Sequence, residues 1–104
     1  MLVVQTRISY RNSDAIDFYK PTAENTAYIK SKFIDTGKMR VEVVFSSDNK
    51  IHTRTHKFPS MAALEEFKAD PVIQQMRLER IAYLEARGQT EDPLDIVAHE
   101  ELDF

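Results

Sequence analysis

The order in which apolar residues repeat constrains the fold of this 104-residue chain more than any other feature. A period of two, typical of strands, occurs in residues 2–9, 39–45, 51–58 and 94–102. A helical period occurs in residues 21–35 and 60–87, the second stretch broken at Asp70-Pro71. The predicted order is therefore strand, helix, strand, strand, broken helix, strand.

This order predicts an α+β fold of the ferredoxin-like type, β-α-β-β-α-β, with an antiparallel sheet and helices on one of its faces. Several strands carry apolar side chains on both faces. On the first strand Val3 lies on the face opposite Leu2 and Val4, and on the second Val44 lies opposite Val43. Because helices cover only one face, we expect the other face to be an interface. A symmetric homodimer packed sheet to sheet is the simplest such arrangement.

The residues at the predicted helix ends support these boundaries. Ser60 is a favourable N-cap for the first half of the broken helix, and Asp70 is one for the second half, with Pro71 at its first position. Gly37 and Gly88 follow the two helical regions, where a left-handed residue commonly ends a helix.

Composition excludes several classes of protein. The chain has no cysteine, which excludes disulfides and thiolate metal sites and predicts a reducing, cytoplasmic location. It has no apolar stretch near the roughly 20 residues that a membrane helix needs, and no signal-peptide core. With 14 basic and 17 acidic residues, it is not expected to bind nucleic acid. No motif predicts a metal or another cofactor.

Charge is unevenly distributed along what we predict to be a single domain of residues 1–104. The C-terminal segment, residues 90–104, contains six acidic residues and no Lys or Arg, which leaves residues 1–89 with a net charge of +3. This acidic end is either a solvated strand and tail or a segment that docks on a basic surface, of its own subunit or of a partner.

Three polar residues alternate along the third predicted strand and share one of its faces. His52 and His56 are about 13 Å apart on an extended chain, too far to chelate one ion, and Arg54 lies between them. This strip either lines a cavity that binds an anionic or aromatic ligand or forms a solvated or interface face. Histidines in such a strip can also respond to pH near neutrality.

Two further regions offer candidate ligand-binding residues. Arg77 lies beside the apolar stripe of the second helical region, either as a buried anchor for an anion or with its stem on apolar surface and its head in water. Tyr28 belongs to an aromatic group with Tyr10, Phe18 and Tyr19, which either roofs a pocket or packs in the core.

One segment resembles a known family. Residues 57–71, Lys-Phe-Pro-Ser-Met-Ala-Ala-Leu-Glu-Glu-Phe-Lys-Ala-Asp-Pro, resemble the stretch between the third strand and second helix of dimeric α+β barrel proteins. These are the antibiotic-biosynthesis-monooxygenase-like small domains. The resemblance implies their fold and a homodimer. Their activities include cofactor-independent oxygenation and haem degradation.

The resemblance does not extend to the residues of the haem-degrading members. Those proteins share an asparagine on the first strand, a tryptophan near the end of the third and a histidine on the helix. The corresponding positions here are Thr6 or Arg7, Phe58 and a position near Arg77. The resemblance therefore does not imply haem degradation by this chain.

Two functions stay open from the sequence. The first is a small homodimeric binding or interaction protein, not evidently catalytic, that engages a small molecule or another protein. The second is a cofactor-independent monooxygenase-like enzyme acting on a small aromatic molecule. An enzyme should have a cavity between sheet and helices that holds the candidate His and Arg residues with a tyrosine. A binding module should have a filled interior and an exposed apolar or charged patch.

Overall fold

The computed structural model describes residues 2–11, 13–91 and 95–99. In chain order the elements are β1 (Leu2–Tyr10), α1 (Ala23–Ile29), β2 (Arg40–Phe45), β3 (Ile51–Phe58), α2 (Met61–Ala69), α3 (Pro71–Ala86), β4 (Thr90–Glu91) and β5 (Asp95–His99). A π-helical turn, Lys30–Ile34, continues α1. Among the helices of these residues, none has the length and apolar character that a membrane crossing requires.

The strands form one antiparallel sheet in the order β2-β3-β1-β4, and β5 pairs with β1 beside β4. The predicted α+β class, with an antiparallel sheet and helices, is confirmed, and the predicted β-α-β-β-α-β order is shown in part. The predicted last strand, residues 94–102, overlaps β5 at Asp95–His99, while Leu94 and residues 100–102 lie outside the described residues. So does most of the acidic C-terminal segment. The two-residue strand β4 is too short to show a period and was not predicted.

The predicted caps of α2 and α3 are confirmed. The Ser60 hydroxyl accepts a hydrogen bond from the Ala63 amide at 3.2 Å. The Asp70 carboxylate accepts bonds from the Val72 and Ile73 amides at 2.9 and 3.2 Å. Both side chains satisfy amides that a helix N-terminus leaves without an intrahelical partner, which is why the broken helix divides at this point.

The first helix differs from its prediction. It was expected to begin at Pro21, but α1 begins at Ala23, because the Thr22 hydroxyl caps it by accepting from the Asn25 amide at 3.1 Å. Its last turns widen into the π-helical turn, which apolar spacing alone does not distinguish from α-helix. Gly37 then has a φ of 74°, as the predicted helix stop requires.

The helices cover one face of the sheet, which we call the inner face. At one end of this face, the Val3–Phe58 pair packs against α2 and the π-helical turn. Phe58 and Leu64 are both 0% exposed, and Phe33 is 1% exposed. We call this well-packed region the apolar end. It forms the hydrophobic core that stabilises the fold.

The other face of the sheet, which we call the outer face, carries the side chains of β1 that alternate with the inward ones. Leu2, Val4, Thr6 and Ile8 are half-buried there, pointing away from Val3 and the helices. On β2, at the edge of the sheet, Val44 is 53% exposed. The expectation of a sheet-to-sheet homodimer stays a prediction.

Candidate functional site

A cavity of about 690 Å³ lies between the inner face of the sheet and helix α3. Its floor consists of six side chains from the two central strands: Gln5, Arg7 and Ser9 from β1, and His52, Arg54 and His56 from β3. Its walls are mostly apolar and come from the helices and the segment before α1: Phe18, Ile29, Phe67, Ile73, Met76 and Leu84. A polar floor facing apolar walls is typical of small-molecule sites.

The strand register explains why these six polar residues meet. Side chains alternate between faces, so every second residue of β1 and β3 points inward. The antiparallel pairing places these inward residues directly opposite one another: Gln5 against His56, Arg7 against Arg54, and Ser9 against His52. The same strands therefore change from the apolar Val3–Phe58 pair to three consecutive polar pairs. We call this region the polar end of the inner face.

His56 is held in one protonation state and one tautomer. Its Nε2 accepts a hydrogen bond from Arg54 Nε at 3.0 Å, so the ring proton is on Nδ1, which donates to Gln5 Oε1 at 3.1 Å. Burial, with the nearby charges of Arg54 and Arg7, lowers the pKa of His56 to about 3. His56 is therefore neutral at neutral pH, and it orients Arg54 rather than titrating.

His52 lies at the opposite end of the floor. Its ring stacks on Phe45, with centroids 5.0 Å apart, and also contacts Phe18 at 5.4 Å. Burial, followed by the charges of Arg54 and Arg7, lowers the pKa of His52. The imidazole is therefore neutral at neutral pH and has one nitrogen with a lone pair. Such a group is able to accept a proton from a bound molecule.

Arginines dominate the charge of the site. Burial, and then the charge of Arg80, lowers the pKa of Arg54, which shows that the cavity is a costly place for this cation. Arg80 comes from α3, on the opposite wall, and Arg7 is the cross-strand neighbour of Arg54. With Arg77, also from α3, four guanidinium groups line one cavity from three elements.

The cavity brings together four of the five predicted ligand-binding residues. His52, Arg54 and His56 lie in its floor, and Arg77 is an exposed residue of its lining. Tyr28 lies outside the lining: its hydroxyl donates to Asp70 Oδ2 at 2.6 Å, at the junction of α2 and α3.

The tyrosine in the cavity is Tyr19. Burial raises its pKa, and so does its hydrogen-bonded neighbour Glu79, so the phenol stays protonated at neutral pH. Tyr19 and Phe18 form the part of the lining that precedes α1. For these two residues, this agrees with the interpretation that the aromatic group roofs a pocket.

Several polar residues of the site were not predicted from the sequence, among them Gln5, Arg7, Ser9 and Arg80. Gln5 and Ser9 are both buried, and Arg80 reaches the cavity from α3. The signal for Gln5 and Ser9 was present in the first strand, where polar residues occupy alternate positions after Val3. The described residues contain no group of three or more His, Cys, Asp or Glu that could hold a metal ion.

No protein-family profile and no curated protein sequence matches the chain. Two solved structures are similar to it. One is a Deinococcus radiodurans protein assigned to the antibiotic biosynthesis monooxygenases, with a TM-score of 0.51 and 16% identity over 100% of this chain and 98% of that one. The other is Rv0793 of Mycobacterium tuberculosis, with a TM-score of 0.47 and 19% identity over 99% and 96%. The chain therefore shares its fold with the Deinococcus protein.

Proposed function

We propose that the protein binds a small organic molecule in the cavity between the sheet and α3. The observation that carries this proposal is a cavity of about 690 Å³ with a polar floor and mostly apolar walls. Cavities of roughly 300 to 1,000 Å³ are usual for small-molecule sites. A filled interior would instead have favoured a binding module that uses only its surface.

The energetics of the floor support the same proposal. Burying polar groups costs free energy unless each is hydrogen-bonded, and apolar residues at these positions would extend the core. His56 offsets that cost by donating a hydrogen bond to Gln5 and accepting one from Arg54. Departures from an apolar, well-packed interior are expected at functional sites.

A second candidate function is a cofactor-independent monooxygenase-like enzyme acting on a small aromatic molecule. The cavity combines the features expected of such an enzyme: histidine and arginine residues with Tyr19. The lowered pKa of His52 supports it as a base that takes a proton from the bound molecule. The fold shared with the Deinococcus protein supports this candidate only as an analogy.

The proposal includes a cytoplasmic homodimer formed through the outer face of the sheet. The half-buried residues Leu2, Val4 and Ile8, with exposed Val44, give that face its apolar character. Light scattering over a concentration series tests it: a dimer has twice the 12.1 kDa chain mass. A monomer at every concentration would remove the dimer and leave the cavity proposal intact.

Binding is tested with prodan, a neutral naphthalene dye whose emission shifts to the blue in apolar surroundings. Wild-type protein should bind it saturably. Ile73→Trp should abolish binding, because the larger side chain enters the cavity from the α3 wall. Gln75→Trp is the matched control, since Gln75 is exposed two residues along α3 and is not in the lining.

Two outcomes decide the proposal. Loss of the blue shift in Ile73→Trp with retention in Gln75→Trp supports it, provided that both variants keep the wild-type circular dichroism spectrum. Equal binding by both variants would place the dye elsewhere and contradict the proposal.

For the enzymatic candidate, oxygen uptake with electron-rich phenols should occur in the wild type and be lost in His52→Gln.

A further inference from the structure

The charge of the cavity lining is one-sided. Its cationic side chains come from four elements: Arg7, Arg54, Lys68, Arg77 and Arg80. The described lining contains no Asp or Glu, although the whole chain has 17 acidic against 14 basic residues. Glu79, which interacts with Tyr19, is not part of the lining. The positive charge is therefore a local property of the cavity and not of the protein.

Arg54 is at the centre of this charge and lacks a carboxylate partner among the described residues. It faces Arg7 directly across β1 and β3, a like-charge juxtaposition that destabilises a sheet. Arg80 approaches it from α3 and further disfavours its charge. The described ion pairs involve other residues, such as Lys38 with Glu66, and none includes Arg54. A half-buried cation in this setting is stabilised by an anion that enters the cavity.

The hydrogen bonds of Arg54 orient it for such an anion. Its Nε is bound to neutral His56, which is fixed in turn by Gln5. No described residue accepts a hydrogen bond from the two terminal nitrogens of Arg54. A guanidinium held by its Nε presents these nitrogens side by side, in the geometry that binds both oxygens of a carboxylate.

We propose that the ligand of this cavity is an organic anion, with a carboxylate bound by Arg54 and an apolar body against the helical wall. This inference rests on the proposed function and adds the chemical class of the ligand. The apolar wall, with Ile73, Met76 and Leu84, favours a carboxylate on a hydrocarbon body over a small inorganic anion. Arg80 lowers the electrostatic cost of bringing a negative charge into the cavity.

The test is calorimetric titration with two probes of nearly the same shape, 2-naphthoate and its neutral amide, 2-naphthamide. Wild-type protein should bind 2-naphthoate at least about tenfold more tightly, since hydrogen bonds to charged groups are worth more than that factor. Arg54→Gln should reduce the affinity for 2-naphthoate to that for 2-naphthamide and leave 2-naphthamide binding unchanged. The glutamine amide nitrogen takes the place of Arg54 Nε, so the bond to His56 is retained.

Lys50→Gln is the matched control, because it removes one positive charge from an exposed residue outside the cavity. It should keep the wild-type preference for 2-naphthoate. Equal affinity of the wild type for both probes would overturn the anion inference and leave the proposed function standing. Equal loss of both probes in Arg54→Gln would show that Arg54 supports the fold and not the ligand, which also overturns the inference. Binding of neither probe to wild-type protein would contradict the proposed function itself.

Discussion

The two ends of the inner sheet face are built from the same strands and have opposite chemistry. At the apolar end, Val3 and Phe58 form a cross-strand pair that is closed over by α2. At the polar end, the next inward pairs on the same two strands are Gln5–His56 and then two more polar pairs, and they face a cavity. Backbone geometry is common to both ends, so the side chains alone make one end a core and the other the polar floor of a cavity.

One end stabilises the fold, and the other is the region that we propose binds a ligand. The apolar end gains stability from burial of large side chains, as in any core. The polar end places like charges opposite each other and buries two histidines, which works against stability. Regions that break the rules of good packing in a stable fold are the ones to examine for function.

The largest difference in stability between the two ends should appear when a side chain is shortened to alanine. Phe58→Ala should lower the free energy of unfolding by about 3 to 5 kcal/mol, because Phe58 is fully buried in the core. Ser9→Ala, on the same inner face at the polar end, removes only a hydroxyl group and should lower it by about 1 kcal/mol. Urea unfolding followed by circular dichroism measures both. Similar losses for the two variants would contradict the division of the face into core and site.

The polar end should also make stability depend on pH. The pKa of His56 is about 3 in the folded protein and about 6.5 in an unfolded chain, so the unfolded state binds the extra proton as the pH falls below 6.5. This residue should therefore remove roughly 2.5 kcal/mol of stability between pH 7.5 and pH 4.5.

His56→Gln isolates that effect, because its amide oxygen can still accept from Arg54 Nε while the side chain cannot titrate. The stability difference between wild type and variant should shift by roughly 2.5 kcal/mol in favour of the variant over that pH range. Unfolding curves at several pH values measure it. A difference that stays constant with pH would mean that His56 titrates normally and is not buried as described.

A buried charge at the junction of α2 and α3 provides a contrast with Arg54. Asp70 accepts bonds from Tyr28, Lys32 and the first amides of α3, and these outweigh the effect of burial and keep its pKa low. Asp70→Ala should cost about 2 kcal/mol, since it removes a cap and charged hydrogen bonds. Arg54→Gln should cost less than about 1 kcal/mol. Thermal unfolding compares them, and a larger loss in Arg54→Gln would reverse the assignment of roles.

The smallest expected effect concerns an exposed cap far from the cavity. Ser60→Ala should lower the free energy of unfolding by about 1 kcal/mol, because the Ala63 amide loses its acceptor at the start of α2. Ser60→Asp keeps an acceptor and should restore most of that stability. Neither change should alter prodan binding. An effect of Ser60→Ala on binding would show that the core and the cavity are coupled through α2.

The sequence predicted most of the fold because its signals are local. The two boundaries of strand β3, Ile51–Phe58, agree with the prediction. The caps at Ser60 and Asp70 divide the second helical region as expected. Helix α1 begins two residues after the approximate start predicted at Pro21, because Pro21 and Thr22 both suit a helix start. Which face of β1 would turn inward could not be predicted, because both faces carry apolar residues.

The site was predicted only in part. The alternation of His52, Arg54 and His56 placed them on one face, and the structure places them together in the cavity floor. Tyr28 shares the aromatic signal of Tyr19, but it lies with Asp70, which is 42 residues away in sequence, and local patterns do not report such a contact. Register decides which residues of β1 complete the floor, and register is also non-local.

The most direct test of the account is to map a bound ligand by NMR. In a ¹⁵N-labelled sample titrated with 2-naphthoate, the account predicts amide shift changes centred on residues 5–9 of β1, residues 52–56 of β3 and the facing side of α3. Amides around Leu64 and Phe33 at the apolar end should stay unchanged. Shift changes confined to the outer sheet face or to the exposed edge strand β2, or none at all, would contradict the claim that the polar end is a ligand site.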